Sequence, residues 1–382
     1  MNRVLKLSDG EVESLLGDVL QEFGERHRSV ESMLEAHFRE VSYLLPTGYT
    51  PTPGRRLFIG SYFTCEYSIE AAALFNPSIV PHPDQDGLPV GSLRFIMSLR
   101  AVGEGHISSI EFRTGVINKK GEMTIDDISR YASTPHIVSN SSSEYEVRFP
   151  DETPISERVL FPISEVERNG MEDARFVKFQ NDDGEVTYYA TYTAYDGRKI
   201  IPRLLETKDF VSFRSRALSG QGVENKGMAL FPGKIENRYA MISRQDGENL
   251  FLMFSDDVSR WDQKIELLKP TSAWELIQIG NCGSPIETEK GWLLLTHGVG
   301  PMRRYCIGAV LLDLKDPSKV IGRLEQPLLV PNESEREGYV PNVVYTCGAI
   351  LHSGDVILPY AASDHITTVA SISLSELLKV MV

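Results

Sequence analysis

From about residue 55 onward the chain is a succession of short apolar segments separated by Gly, Asp, Asn and Pro. Segments at 56–59, 93–99, 107–117, 145–149, 186–192, 239–244, 250–254, 292–296, 305–312, 343–350, 356–360 and 368–372 have the length and the β-branched and aromatic content of strands. Nothing between them carries the periodicity of a long crossover helix, which argues against a parallel α/β sheet. So many short strands in one chain of 382 residues point to a sandwich, a barrel or a propeller.

A weak internal repeat favours the propeller. Thr207-Lys208-Asp209-Phe210-Val211-Ser212-Phe213 and Ser255-Asp256-Asp257-Val258-Ser259-Arg260-Trp261 share the pattern hydroxyl-x-Asp-x-x-x-aromatic, and each follows an apolar strand. Strand-turn signatures recurring at such a spacing suit a blade repeated around an axis. The first 45 residues differ. Ser8 and Glu11 form a capping box ahead of Val12, Leu15, Leu16, Val19, Leu20 and Phe23 at helical spacing. A second amphipathic run, with Val30, Met33, Leu34, His37, Phe38 and Val41, stops before Pro46. The expected organisation is a helical extension over 1–45 and a β catalytic domain over 46–382. Ser373 and Glu376 open a short C-terminal helix. The apolar stripes of the extension suggest contacts between subunits, so a homo-oligomer is expected.

The formal net charge of −14 argues against duplex nucleic acid and anionic membranes as partners. The N-terminus lacks the apolar region of a signal peptide, and no run approaches the length of a membrane helix. Cys65, Cys282, Cys306 and Cys347 are scattered without CxxC pairing, as free thiols in a reducing cytoplasm would be. The chain has no GxSxG, HExxH or GxxxxGK[ST] motif, and its eight His show no metal-ligand spacing. No metal and no organic cofactor are expected.

What remains is acidic and basic side chains at strand ends. Glu172-Asp173-Ala174-Arg175 sits at the start of a strand, where neighbours point to opposite faces. If Asp173 faces a cleft, Arg175 shares its face; read alone, the tetrapeptide is more simply a surface salt bridge. Asn225-Lys226-Gly227 leads into a strand ending at Arg244. The Gly-rich turn Gly280-Asn281-Cys282-Gly283-Ser284-Pro285 has the composition to present backbone amides to an anion. His297 follows an apolar strand; read alone it is more simply a structural histidine.

In order along the chain, Phe75-Asn76-Pro77-Ser78, the Glu-Asp-x-Arg at 172–175, Asn225-Lys226-Gly227 with Leu230-Phe231-Pro232, Gly280 to His297-Gly298-Val299, Gly308 to Pro317, and Ala361-Ala362-Ser363-Asp364 resemble glycoside hydrolase family 130, the β-mannoside phosphorylases and β-1,2-mannosidases. The resemblance covers roughly residues 70–372. It implies an all-β fold, a five-bladed β-propeller with its active site on the axis. It implies that Asp173 matches the catalytic acid, delivering a proton toward the glycosidic oxygen through a sugar hydroxyl. Asn76 and Asp364 match positions that hold the mannosyl unit, and Arg100 and Arg175 are assigned to substrate binding beside them. Lys226, Arg244 and His297 fall where phosphorylases grip phosphate. The implied activity is phosphorolysis of β-1,2-linked manno-oligosaccharides to α-mannose 1-phosphate, with inorganic phosphate as co-substrate. An inverting β-mannosidase using water, or a propeller that binds sugar without turnover, is the alternative.

The character of one wall separates phosphorolysis from hydrolysis. Inverting hydrolysis needs a carboxylate base as well as an acid. A phosphorylase needs a cationic cradle for an anion that arrives already nucleophilic. The chain departs from the family pattern at Ala174, at Thr296 and at Gln278, where a phosphate-binding lysine is expected. Glu224 and Glu275 are the candidate bases for hydrolysis. The acidic surplus opposes the approach of phosphate, though a screening length of about 8 Å at physiological salt limits the penalty.

Overall fold

The computed structural model describes residues 1–381 and divides into two compact units, Met1–Ser68 and Ile69–Val382. Among the described residues no helix is long and apolar enough to cross a membrane.

The first unit holds three helices, α1 (Asp9–Phe23), α2 (Val30–Val41) and α3 (Pro53–Ser61). At the head of α1 the Ser8 hydroxyl accepts from the Glu11 amide at 3.3 Å, and the Glu11 carboxylate accepts from the Ser8 amide at 2.8 Å. Val12 and Leu16, Val30, Leu34 and Phe38, and Phe58 and Ile59 bury one face of each helix in a common core. The strand expected at 56–59 is instead the middle of α3. Its start signal is Thr52, whose hydroxyl accepts from the Arg55 amide, followed by Pro53 at the first helical position. Leu57-Phe58-Ile59 resembles a strand by composition, but the cap decides. The helical unit therefore runs past residue 45 to Ser68. Arg55 locks it, donating to the Val4 and Leu7 carbonyls at 2.9 and 2.8 Å and to Asp9 at 2.7 Å.

The second unit is built from antiparallel strands in four sheets. The largest contains β1 (Ala73–Pro81), β2 (Leu93–Val102), β3 (Ser108–Ile117), β4 (Met123–Ile125), β5 (His136–Asn140), β6 (Glu144–Arg148), β7 (Val159–Leu160), β8 (Gly170–Gln180), β9 (Val186–Tyr195), β10 (Ile200–Thr207) and β11 (Ser212–Ala217). Its two halves, β1–β2–β3 and β8–β9–β10–β11–β6–β5, meet through one parallel pair, Ser108 with Gly170. Next come β12 (Ala229–Leu230), β13 (Tyr239–Ser243), β14 (Leu250–Ser255) and β15 (Ile265–Leu268), joined in order. The third sheet contains β16 (Gln278–Asn281), β17 (Ile286–Thr288), β18 (Gly291–Val299), β19 (Tyr305–Leu312) and β20 (Val320–Arg323). The fourth contains β21 (Val344–Tyr345), β22 (Ile350–His352), β23 (Asp355–Ala362) and β24 (Ile366–Ser373), followed by α4 (Leu374–Lys379), which Ser373 caps.

The two copies of the sequence repeat occupy matching corners, one between β10 and β11 and one between β14 and β15. Asp209 accepts from the amides of Val211 and Ser212, and Asp257 from that of Ser259, while the closing Phe213 and Trp261 are buried. Core side chains pack between neighbouring sheets, as where Phe231, Ile242 and Leu252 of the second sheet meet Ile279, Leu294 and Val310 of the third. In the largest sheet β1 and β8, at the outer end of one half and the inner end of the other, and in the other three sheets β12, β16 and β21, lie on or beside the segments that carry the polar residues described next.

Candidate active site

Asn76, Arg100, Asp173, Lys226, Arg244, Gln278, His297 and Asp364, all singled out in the sequence, line one cavity of about 130 Å³. Arg303, Tyr305, Val340, Val343 and Tyr345 complete its wall. A larger groove of about 800 Å³ beside α4 is lined by Leu, Ile and Met side chains together with Gly, Ser, Thr and a few surface charges, so volume alone does not locate the chemistry.

Asn76, Asp173 and Asp364, distant in sequence, reach the cavity by the same local device. Each has left-handed backbone, with φ of 51°, 54° and 49°. The register of β1 against β2 slips between Phe75 and Ser78, and that of β8 against β9 slips between Glu172 and Arg175. Asn76 and Asp173 thus sit on bulges that turn a side chain out of the normal alternation. Asn and Asp tolerate this conformation best after Gly, at a cost of roughly 1–3 kcal/mol each that the surrounding sheet must offset.

The bulge also corrects the expectation for Arg175. It does not share Asp173's face and does not line the cavity. Buried behind Asp173, it donates to the Asp173 carbonyl at 3.1 Å and to the Tyr345 hydroxyl at 2.5 Å. It positions the bulge and one aromatic wall.

Asn76 donates to the Asp173 carboxylate at 2.7 Å, and its own side-chain oxygen is buried without a hydrogen-bond partner. Arg100 bonds Glu172 at 2.6 Å and approaches Asp173 at 3.5 Å. Burial pushes the Asp173 carboxyl up, but the charges of Arg100, Lys226 and Arg175 and the Asn76 hydrogen bond outweigh it and hold the pKa down to about 2. Asp364 goes the other way. Burial, then the Asp173 charge, push it up to about 6 against the pull of Arg100, Arg303 and Lys226. Asp173 is thus held as a carboxylate, and Asp364 is the first of the two to take a proton.

Part of the cavity wall is cationic. Lys226 sits between two left-handed residues, Asn225 and Gly227, and Asn281 donates from its side chain to the Gly227 carbonyl. Among the described residues Lys226, Arg244 and Arg303 form no ion pair with a carboxylate, and the Arg244 Nε is buried with no hydrogen-bond partner. Burial and the nearby Arg175 charge pull Arg244 below the ordinary guanidinium value. An anion at this wall would relieve both.

His297 is not a third cation. Its Nδ1 lies 3.1 Å from the Asn281 carbonyl, an acceptor, so that nitrogen carries the proton. Its Nε2 is then the acceptor toward Arg244, at 3.5 Å. Burial, then the charges of Arg244 and Arg175, hold its pKa well below the usual histidine range. It orients Arg244 and stacks on Tyr305 at 5.8 Å between ring centres. The Gly-rich turn is corrected too: the Cys282 amide donates to the Leu295 carbonyl and the Gly283 amide to the Asn281 side chain, so neither is free for an anion. Gly280 is required for space, because a Cβ there would lie 2.3 Å from the His297 ring.

Gln278 lines the cavity, where its amide approaches the Tyr305 hydroxyl at 3.5 Å. The candidate bases are elsewhere. Glu275 is fully buried, accepting from the Thr271 and Ser272 amides at 3.0 Å and pairing with Arg323, and Glu224 does not reach the cavity. Arg303 had no sequence signal beyond its charge. It arrives on a tight turn between β18 and β19, with φ of 54°.

A model of glycoside hydrolase family 130, described as beta-1,4-mannooligosaccharide phosphorylase, matches residues 135–382. The chain belongs to this family, and so is an enzyme acting on mannosides. It is 36% identical over 221 residues to a 1,2-beta-oligomannan phosphorylase of Thermoanaerobacter sp. (strain X514), spanning 56% of this chain and 72% of that protein. It is 31% identical over 231 residues to a beta-1,2-mannobiose phosphorylase of Listeria innocua serovar 6a, spanning 57% of this chain and 62% of that protein. Its fold is similar to the solved beta-1,2-mannobiose phosphorylase from Listeria innocua in complex with beta-1,2-mannobiose, with a TM-score of 0.58 at 22% identity over 81% of this chain and 91% of that one.

Proposed function

We propose that the protein is a β-mannoside phosphorylase that cleaves β-1,2-linked manno-oligosaccharides with inversion to give α-mannose 1-phosphate. The observation that carries this reading is the group of Lys226, Arg244 and Arg303, three cations without carboxylate partners that line one cavity with Asp173. We place it on a five-bladed propeller: dividing the largest sheet at its lone parallel pair leaves five antiparallel units, and each contributes a residue to the cavity from its first strand or the segment beside it.

In this reading the terminal mannosyl ring is held by Asn76, Arg100 and Asp364, and phosphate lies against Lys226, Arg244 and Arg303 with Tyr305 beside it. Phosphate attacks C1 from the face opposite the leaving oxygen, and the C1–O bond breaks. Asp173 supplies the proton that the leaving oxygen takes up, relayed through a sugar hydroxyl. Its depressed pKa among the protein's own charges is consistent with this. Of the cations that hold it down, Lys226 is one that the phosphate dianion neutralises, and the dianion's own charge acts in the same direction, so phosphate arrival raises the Asp173 pKa as the site is completed. No carboxylate other than Asp173 and Asp364 lines the cavity among the described residues, which leaves hydrolysis without the bases expected for it.

The test is incubation with β-1,2-mannobiose with and without inorganic phosphate. Cleavage that requires phosphate is expected, and equal release of free mannose in its absence overturns the reading. Asp173→Asn is expected to lower kcat by about 10²–10⁴-fold, the range for loss of a general acid.

A further inference from the structure

The cavity is small for what it must accept. At about 130 Å³ it falls well below the roughly 300–1,000 Å³ of sites that enclose drug-sized ligands, so it takes one sugar ring, and further rings must lie outside. The mouth carries a feature that the chemistry above leaves unused. Tyr339, 58% exposed, immediately precedes Val340 in the cavity wall. One face of its ring is stacked on His106, with centroids 6.0 Å apart and planes at 27°, and its hydroxyl lies 3.5 Å from His106 Nδ1.

Both partners are held by their backbones. His106, with φ of 59°, closes a tight turn in which its amide donates to the Gly103 carbonyl and the Gly103 amide to the Ile107 carbonyl. This turn joins β2, which carries Arg100, to β3, whose Ser108 accepts from Arg100 at 3.0 Å. The Tyr339 loop is tied to the turn bearing Asp364. The Val340 amide donates to the Ser363 carbonyl at 3.1 Å, the Ser363 hydroxyl donates to the Glu335 carbonyl at 2.5 Å, and buried Glu335 accepts from Tyr360 at 2.7 Å. Gly338 packs closely against the same turn, since a Cβ there would lie 2.6 Å from Ser363. A large, exposed aromatic side chain is thus fixed next to a cavity-lining residue by the loops that also place Arg100 and Asp364.

We infer that Tyr339, braced by His106, is a stacking platform for the rings beyond the second of a β-mannoside chain leaving the cavity. The inference rests on the mannoside reading and deepens it. One face of a β-mannopyranose carries three axial C–H bonds, at C1, C3 and C5, and such a face suits the electron-rich face of an aromatic ring. A platform already held in place loses little entropy when the chain binds.

The experiment compares β-1,2-mannobiose, β-1,2-mannotriose and β-1,2-mannotetraose as substrates at saturating phosphate, with Tyr339→Ala, Tyr339→Phe and His106→Ala. For Tyr339→Ala, kcat/KM is expected to fall about five- to tenfold for the longer substrates, through KM, with a smaller change for the disaccharide. Tyr339→Phe is expected to keep the wild-type profile, and His106→Ala to lie between. A Tyr339→Ala profile unchanged across chain lengths, or lowered equally for all three, overturns the platform. Inactivity of the wild-type protein on every mannoside overturns the reading beneath it instead.

Discussion

At the scale of single residues, the cavity sets two carboxylates against each other, and Asp364 gives a measurable consequence. Asp364 has its pKa raised from an unfolded value near 3.9 to about 6. The folded state then binds more protons than the unfolded state between these values, so stability falls as pH rises through that window, and the full penalty is present above it. Asp364→Asn should therefore raise the melting temperature at pH 7.5 and have little effect near pH 3.5, with a gain at the higher pH of up to about 3 kcal/mol. Melting curves at the two pH values check this; equal shifts at both would contradict it. Arg303 lies at the exposed end of the cationic wall, where solvent weakens each interaction. Arg303→Ala is expected to raise KM for phosphate about tenfold and to leave KM for the mannoside within about twofold. Initial rates with each substrate varied in turn separate the two effects.

At the scale of elements, strands were legible in the sequence and bulges were not. Runs such as 305–312 and 250–254 are apolar enough to declare themselves, and the Asp-centred corners at Asp209 and Asp257 recur visibly. Alternation assigns Arg175 to Asp173's face because it assumes an unbroken strand, and the left-handed Asp173 breaks that assumption. His297 reads as a cation by residue type; the Asn281 carbonyl and burial among arginines, both tertiary facts, make it neutral. The cavity residues that resemblance to the family supplied, Asn76, Asp173, Lys226, Arg244 and Asp364, come together. Arg303 and Tyr345, which no motif marks, appear only once the chain is folded. In the helical unit α3 was hidden because its middle looks like a strand. Its fit against α2 is tight enough to test: a Cβ at Gly60 would lie 1.9 Å from the Leu34 carbonyl oxygen. Gly60→Ala in the full chain is expected to destabilise this unit by about 1–3 kcal/mol or more, seen as earlier loss of helical circular dichroism. An unchanged helical transition would contradict that packing.

At the scale of the whole molecule, an acidic protein is assigned an anionic co-substrate, and the two are reconciled locally. The surplus of −14 is spread over the whole chain, whereas Lys226, Arg244 and Arg303 share one cavity wall, within a screening length of a bound ion. The helical unit exposes Leu15, Tyr43, Leu44, Tyr62 and Phe63, and we propose that this face joins subunits. Light scattering of the full chain and of a variant lacking residues 1–68 tests the proposal: a larger mass per particle for the full chain, relative to its monomer, is expected to fall to that of a monomer. Monomers in both cases would contradict it. The central claim, that the cationic wall makes phosphate rather than water the nucleophile, is most directly tested by following β-1,2-mannobiose cleavage by proton and phosphorus NMR at saturating phosphate. The account predicts α-mannose 1-phosphate as the first-formed mannosyl product, in step with substrate loss. Free mannose formed at twice the rate of substrate loss, with no phosphate ester, would contradict it.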